Sequence, residues 1–196
     1  MKILIAVPTF ENITPETFKS IYDLDTSGHE CSFEFIKGYD CAKARNAIAS
    51  KVIKDGYDYV LFVDSDIILP SKTLVYFLEK PVPICFGCYP HKNSKDGKAE
   101  LFKLGTDDYE LRFPYKQLET MGNRVQVKGA GFGCAFIHKQ VFEQMTYPWF
   151  QYIMYPNGAF LSEDLYFCDN ANNCTIEMWA DTRVKCGHLA RYFQYE

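Results

Sequence analysis

The chain has 196 residues and no apolar run approaching the roughly 20 residues that a membrane-crossing helix needs. No transmembrane segment is expected. The apolar opening at residues 3–7 stops at Pro8. It is too short for the core of a secretory leader and reads as a buried first strand. Basic residues are the minority, 21 Lys and Arg against 25 Asp and Glu for a net charge of −4, and they form no block. A chain without a basic stripe neutralises few phosphates, which argues against a nucleic-acid partner. Internal repeats and low-complexity stretches are absent, and Cys85-Phe-Gly-Cys88 has no second CxxC beside it. Set in an apolar run, that motif reads as buried structural cysteines rather than a zinc or redox site. Without a leader, the eight cysteines are expected to be reduced thiols of a cytoplasmic chain, where the sequons at Asn12 and Asn173 mean nothing.

What is present is enough for a sizeable core: 47% hydrophobic against 23% charged residues. Aromatics reach 16%, with 14 Tyr and 16 Phe; they suit stacking on bases or sugars, or simply a large aromatic core. The first half alternates strands at residues 2–7, 32–36, 59–63 and 82–88 with helices at 15–24, 42–54 and 71–80. Thr14 and Ser71 are the expected caps, with Pro15 at a first helical position. Pro83 suggests an irregular start or an edge position for its strand. This order argues for a parallel sheet covered by helices, which binds ligands beyond the carboxyl ends of its strands. Residues 8–11, 38–40 and 64–66 fall there. In the second half, residues 91–108 read as a long loop with one short strand at 99–104. Strands are expected at 124–128, 134–138 and 176–180, with helices at 139–145 and, capped by Ser162, at 163–172. One domain is expected, residues 1–90 holding a nucleotide and 91–196 the acceptor and catalytic groups.

Five groups of residues bear chemistry. Asp64-Ser65-Asp66 follows the buried strand at 59–63. Its carboxylates at i and i+2 share one face of an extended chain, repel each other, and call for a hard divalent cation unless the segment is a solvated turn. His188, after Gly187, is a possible further ligand whose imidazole favours Mn²⁺ over Mg²⁺, or else a satisfied histidine. Glu163 and Asp164 are ordinary in the first turn of a helix, or one is a general base. Asp40, Lys43 and Arg45 open a helix whose dipole opposes cations, so the cations meet phosphate or base, or form a solvated face. Gly129-Ala-Gly131-Phe-Gly133 fits no phosphate-loop or dinucleotide pattern; it lets the backbone approach a ligand, or makes a bend.

In order, these motifs resemble the GT-A-fold glycosyltransferases, especially their family-2-like group. The likeness runs through Val7-Pro8-Thr9-Phe10, Ala44-Arg45-Asn46, Asp64-Ser65-Asp66, the glycine-rich pair at 129–136, Glu163-Asp164, Trp179-Ala-Asp181 and Cys186-Gly187-His188. The resemblance implies an α/β fold with a Rossmann-like mixed sheet, mostly parallel and flanked by helices. It implies an inverting transfer from a nucleotide-diphosphate sugar, commonly UDP-linked, to a glycan, lipid-linked or protein acceptor. Pro8, Thr9 and Glu11 would line the nucleotide, Asp40 its base, and Arg45 the base or phosphates. Asp64 and Ser65 would lie at the donor, Asp64 also near the metal, while Asp66 and His188 would ligate Mn²⁺ or Mg²⁺. Gly131 would approach the donor sugar, and Asp164, or Glu163, would be the catalytic base. A loop at 91–108 or 150–161 would exclude water. The family's usual C-terminal segment is missing, which implies a minimal enzyme or one domain of a longer chain.

Two other readings compete. A nucleotidyltransferase also sets paired carboxylates on an α/β sheet, but carries a glycine-rich basic loop after its first strand, where this chain has Pro8-Thr-Phe-Glu11. A silent nucleotide-sugar-binding module would keep the fold and lose turnover.

Overall fold

The computed structural model of the chain describes residues 1–10, 12–37, 40–92, 97–105, 109 and 111–189. Glu11, which the resemblance places at the nucleotide, lies outside the described residues, as does part of the loop expected at 91–108. In chain order the elements are β1 (Lys2–Thr9), α1 (Pro15–Tyr22), β2 (Glu30–Lys37), α2 (Cys41–Lys54), β3 (Tyr59–Val63), β4 (Ile67–Ile68), α3 (Thr73–Glu79) and β5 (Ile84–Cys88). There follow β6 (Lys98–Phe102), β7 (Arg112–Pro114), a 3-10 turn (Tyr115–Thr120), β8 (Arg124–Val127), β9 (Gly129–Ala130), β10 (Cys134–His138) and α4 (Lys139–Gln144). Last come β11 (Ile153–Met154), β12 (Phe160–Leu161), α5 (Glu163–Asn173), β13 (Met178–Lys185) and β14 (Gly187–His188).

Seven strands form the main sheet in the order β2-β1-β3-β10-β5-β13-β8. β1 pairs in parallel with β2 and β3, and β13 with β5, while β10 runs antiparallel between β3 and β5 and β8 antiparallel beside β13. Five strands therefore point one way and two the other, a mixed sheet. Period-2 alternation sends Leu4, Ala6, Val60 and Phe62 to one core, and Ile3, Ile5, Val7, Leu61 and Val63 to the other. The sheet is buried on both faces, which is why β1 and β3 read as unbroken apolar runs. Most of the aromatic content is core: Phe62, Phe132, Phe150 and Phe167 meet with ring centroids 4.8–5.9 Å apart.

Several expectations change. β5 is central, between β10 and β13. Pro83 precedes it, and its carbonyl accepts from the His138 N–H at 2.9 Å, so its missing N–H removes no bond from the ladder. Ser71 does not cap α3; the helix starts at Thr73, whose hydroxyl donates to the Pro70 carbonyl at 2.6 Å. Ser162 holds the N-cap position of α5, but its hydroxyl donates to the Asp164 carboxylate instead of accepting from the backbone. The last long strand runs over Met178–Lys185 rather than 176–180. Its polar half was hidden because Asp181, fully buried, is neutralised by Arg124 at 3.3 Å and Arg183 at 2.7 Å. Within the loop expected at 150–161, residues 153–161 form the β11–β12 hairpin.

Asn46 ties α2 to the chain that leads into this hairpin. Its Nδ2 donates to the carbonyls of Ala42 (2.9 Å) and Phe150 (2.7 Å), and its Oδ1 accepts from the N–H groups of Trp149 (3.1 Å) and Phe150 (3.2 Å). All are buried, so Asn46→Ala strands backbone groups without partners. A loss of about 2–4 kcal/mol is expected. Urea denaturation measures it, and an unchanged midpoint would show that water replaces the side chain.

Candidate functional site

The carboxyl ends of β1, β3 and β5 open onto one cleft of about 430 Å³. Its walls are Pro8, Thr9 and Phe10 at the end of β1, Asp64, Ser65 and Asp66 after β3, Tyr89 and Lys92 after β5, Glu100 in β6, Gly131 and Phe132 before β10, and His188 in β14. The first two turns of α2 add Cys41 and Arg45, and the first turn of α5 adds Glu163 and Asp164. Of the sequence candidates, Pro8, Thr9, Arg45, Asp64, Ser65, Asp66, Gly131, Glu163, Asp164 and His188 converge here. Asp40 stays outside this lining. It is the exposed N-cap of α2, accepting from the Lys43 N–H at 2.8 Å and pairing with its ammonium at 3.2 Å; these bonds hold its carboxyl below the usual range.

The two aspartates after β3 do not share a partner. The strand ends at Val63, and the Ile67 N–H closes a turn on the Asp64 carbonyl at 3.1 Å, so the alternation of an extended chain no longer applies. Asp64 turns inward to Arg45, Nη2 to Oδ1 at 2.8 Å. Arg45 also donates through Nη1 to Glu163, and its side chain is only 3% exposed. It is therefore a buried bridge rather than a solvated cation. Burial works against its charge, but the carboxylates of Asp64, Glu163 and Asp164 outweigh burial and hold it charged. Glu163 is pushed up, first by burial and further by Asp164, against the opposing pull of Arg45.

Asp66 faces the other way. Lys92 Nζ donates to its Oδ2, and His188 Nε2 lies 3.8 Å from its Oδ1. The His188 Nδ1 is 2.8 Å from the Pro90 carbonyl. A carbonyl only accepts, so Nδ1 carries the proton, and in the neutral ring the Nε2 lone pair faces Asp66. Backbone geometry fixes the pair, since His188 is opposite Ile67 in the β14–β4 ladder and the Leu189 N–H donates to the Asp66 carbonyl at 2.9 Å. Asp66 and His188 thus fit two ligands of a divalent cation. Among the described residues no group of three His, Cys, Asp or Glu side chains is arranged to hold a metal, so other ligands would have to come from outside the chain.

The alternating glycines have a packing reason. A Cβ on Gly131 would lie 2.5 Å from the Tyr89 hydroxyl, and one on Gly133 would lie 2.7 Å from its ring. The Tyr89 hydroxyl accepts from the Gly133 N–H at 2.9 Å, and its ring meets His188 edge-on at 5.3 Å. The glycines admit the ring that supports His188. Sequence reasoning missed Tyr89 and Lys92. Both follow the carboxyl end of β5, and the rule that singled out Asp64 would have found them had that strand been placed at the centre of the sheet.

Arg45→Met removes the one cation between Asp64 and Glu163. Leaving buried carboxylates unpaired should cost about 3–5 kcal/mol, read as a lower denaturation midpoint. Equal stability at neutral pH would mean that Glu163 takes up a proton in the variant.

No protein-family model matches the chain, and no curated protein matches it in sequence. Its fold does match solved structures. A197 from STIV superposes with a TM-score of 0.64 at 16% identity, over 97% of this chain and 87% of that one. GalNAc-T7, solved with UDP, GalNAc and Mn²⁺, superposes with a TM-score of 0.68 at 12% identity, over 97% of this chain and 43% of that one. UDP-glucose pyrophosphorylase complexed with UDP-glucose gives 0.51 at 7% identity, over 95% and 92%. The chain spans less than half of GalNAc-T7. At such identities the likeness concerns architecture alone, and in architecture the chain has the GT-A-type mixed α/β fold found in glycosyltransferases.

Proposed function

We propose that the protein is a glycosyltransferase that moves a sugar from a nucleotide-diphosphate sugar, UDP-linked, to an acceptor hydroxyl with inversion. The observation that carries this reading is the meeting in one cleft of the Asp66–His188 pair, with the imidazole lone pair turned inward, and the carboxylate of Asp164. Pro8, Thr9 and Ser65 would line the nucleotide, and residues 1–90 would form the donor half. Asp66 and His188 would hold Mn²⁺ or Mg²⁺ together with the donor's phosphates, and the ion would supply positive charge to the departing nucleoside diphosphate. Lys92 neutralises Asp66 in the free protein and stands close enough to turn to a phosphate. Arg45 acts as a positioning residue, holding Asp64 and Glu163 in place.

Asp164 is the better placed base. Its Oδ1 accepts from the Ser162 hydroxyl and from the Leu165 N–H at 2.8 Å, which fixes the carboxylate and leaves Oδ2 without a protein partner among the described residues. Glu163 has an oxygen committed to Arg45. In the transfer, the acceptor oxygen bonds to the anomeric carbon and its proton passes to Asp164. The bond from that carbon to the phosphate oxygen breaks, and its electron pair leaves on the nucleoside diphosphate.

The pyrophosphorylase likeness keeps nucleotidyl transfer as a second reading, and pyrophosphate release on mixing UTP with a sugar phosphate would favour it. The first test is calorimetric titration of UDP and GDP, each with Mn²⁺ and with chelator. Metal-dependent UDP binding is expected, and no binding of either nucleotide would remove the proposal. Asp66→Ala should weaken UDP binding in Mn²⁺ by at least about tenfold with an unchanged melting curve; near-normal affinity would take Asp66 out of the metal site. Asp164→Asn should leave UDP affinity intact and lower turnover by about 10²–10⁴-fold, and full turnover would move the base elsewhere.

A further inference from the structure

The hairpin that leads into the catalytic helix is apolar where it meets solvent. Residues 151–162 contain no charged side chain, yet Tyr152, Met154, Tyr155 and Phe160 are all exposed, Met154 by 71% and Phe160 by 57%. The β11–β12 register pairs Met154 with Phe160 and Ile153 with Leu161. Alternation therefore sets Tyr152, Met154 and Phe160 on one face. The rings of Tyr152 and Phe160 stack with centroids 5.8 Å apart and planes 20° from parallel. Large apolar side chains held together in water mark a binding surface.

This face is continuous with the cleft. Phe160 is separated from Glu163 by two residues, and Tyr152 stands beside Glu163: burial, and then that carboxylate, raise its phenol. The root of the hairpin is fixed, because Phe150 stacks on Phe167 of α5 at 4.8 Å and Asn46 bonds both the N–H and the carbonyl of Phe150. A ligand on the hairpin would have its end at Asp164.

We infer that Tyr152, Met154 and Phe160 form the acceptor subsite, and that the acceptor is a neutral saccharide whose pyranose ring lies on this face. The inference rests on the glycosyltransferase reading. A pyranose offers one face of C–H bonds to an aromatic platform and a rim of hydroxyls to neutral partners, and the polar side chains of the hairpin, among them Gln151, Tyr155 and Asn157, are all neutral. A lipid-phosphate acceptor would need cations. Residues 151–162 hold none, and the next two residues are Glu163 and Asp164, which repel a phosphate. With a saccharide hydroxyl at Asp164, the hairpin holds the sugar while α5 takes its proton.

Saturation-transfer NMR on the full chain with UDP and Mn²⁺ tests this, using maltose, lactose, N,N′-diacetylchitobiose and methyl α-mannoside as probes. At least one should bind through the protons of a single ring face. Phe160→Ala should raise its Kd about tenfold, Phe160→Trp should restore it, and UDP affinity should stay unchanged in both. Absence of saccharide binding, an unchanged Kd in Phe160→Ala, or binding of a detergent-solubilised polyprenyl phosphate or a serine-rich peptide at the hairpin instead would overturn the subsite. Failure of the wild-type chain to bind UDP would overturn the glycosyltransferase reading rather than the hairpin assignment, so the two are separable.

Discussion

One buried cation holds the cleft together. Arg45 enters from the second turn of α2 and reaches Asp64 at the end of β3 and Glu163 at the start of α5. Glu163 is 118 positions from Arg45 in the chain. Two carboxylates in the sheet's crevice repel each other and resist burial; with a guanidinium between them they become a fixed frame. That frame sets the direction of α5, and with it the position of Asp164. The same pairing turns Asp64 away from Asp66, so each acid after β3 serves a different partner. Asn46, next to Arg45 in α2, continues the frame by holding Trp149 and Phe150.

The electrostatics of the cleft are organised in two shells of different depth. Inside, both Nη atoms of Arg45 are held by acids, while its buried Nε has no partner among the described residues. Nearer the opening, Asp66 is neutralised by Lys92, whose side chain is 41% exposed. A long exposed ammonium exchanges partners at little cost, so Asp66 is the carboxylate in the cleft whose partner is most readily replaced by an incoming cation. In the neutral ring, His188 faces it with the Nε2 lone pair, because the Nδ1 N–H donates to the Pro90 carbonyl. Tyr89 fills the space opened by Gly131 and Gly133 and supports that ring. The glycine run, read as room for a ligand, makes room for a protein side chain.

Much of this was legible in the chain. The unbroken run at 59–63 and the apolar opening at 3–7 require a sheet covered on both faces, and the position of Asp64 and Asp66 just past a buried strand required that they lie at a binding edge. The order of motifs carried the GT-A resemblance. What stayed hidden was hidden for identifiable reasons. β13 looked too polar for a core strand because one of the two cations that neutralise Asp181, Arg124, comes from β8, 57 positions away, while the other, Arg183, lies two residues on in β13 itself. The hairpin at 153–161 has strands of two residues each, too short for any periodicity. Lys92 and Tyr89 follow a strand that Pro83 left open between an irregular start and an edge position, so its carboxyl end was not counted at the crevice.

The sequence by itself determined the layers, the direction of most strands and the set of acids at the carboxyl edge, because alternation, capping and apolar runs are properties of neighbours in the chain. Only the tertiary structure decided which acid meets which cation. Arg45 and Glu163, Asp66 and Lys92, and His188 and Pro90 are joined across 118, 26 and 98 positions. Partners at such separations are chosen by strand order and by the competition of several carboxylates for few cations, which no local pattern records.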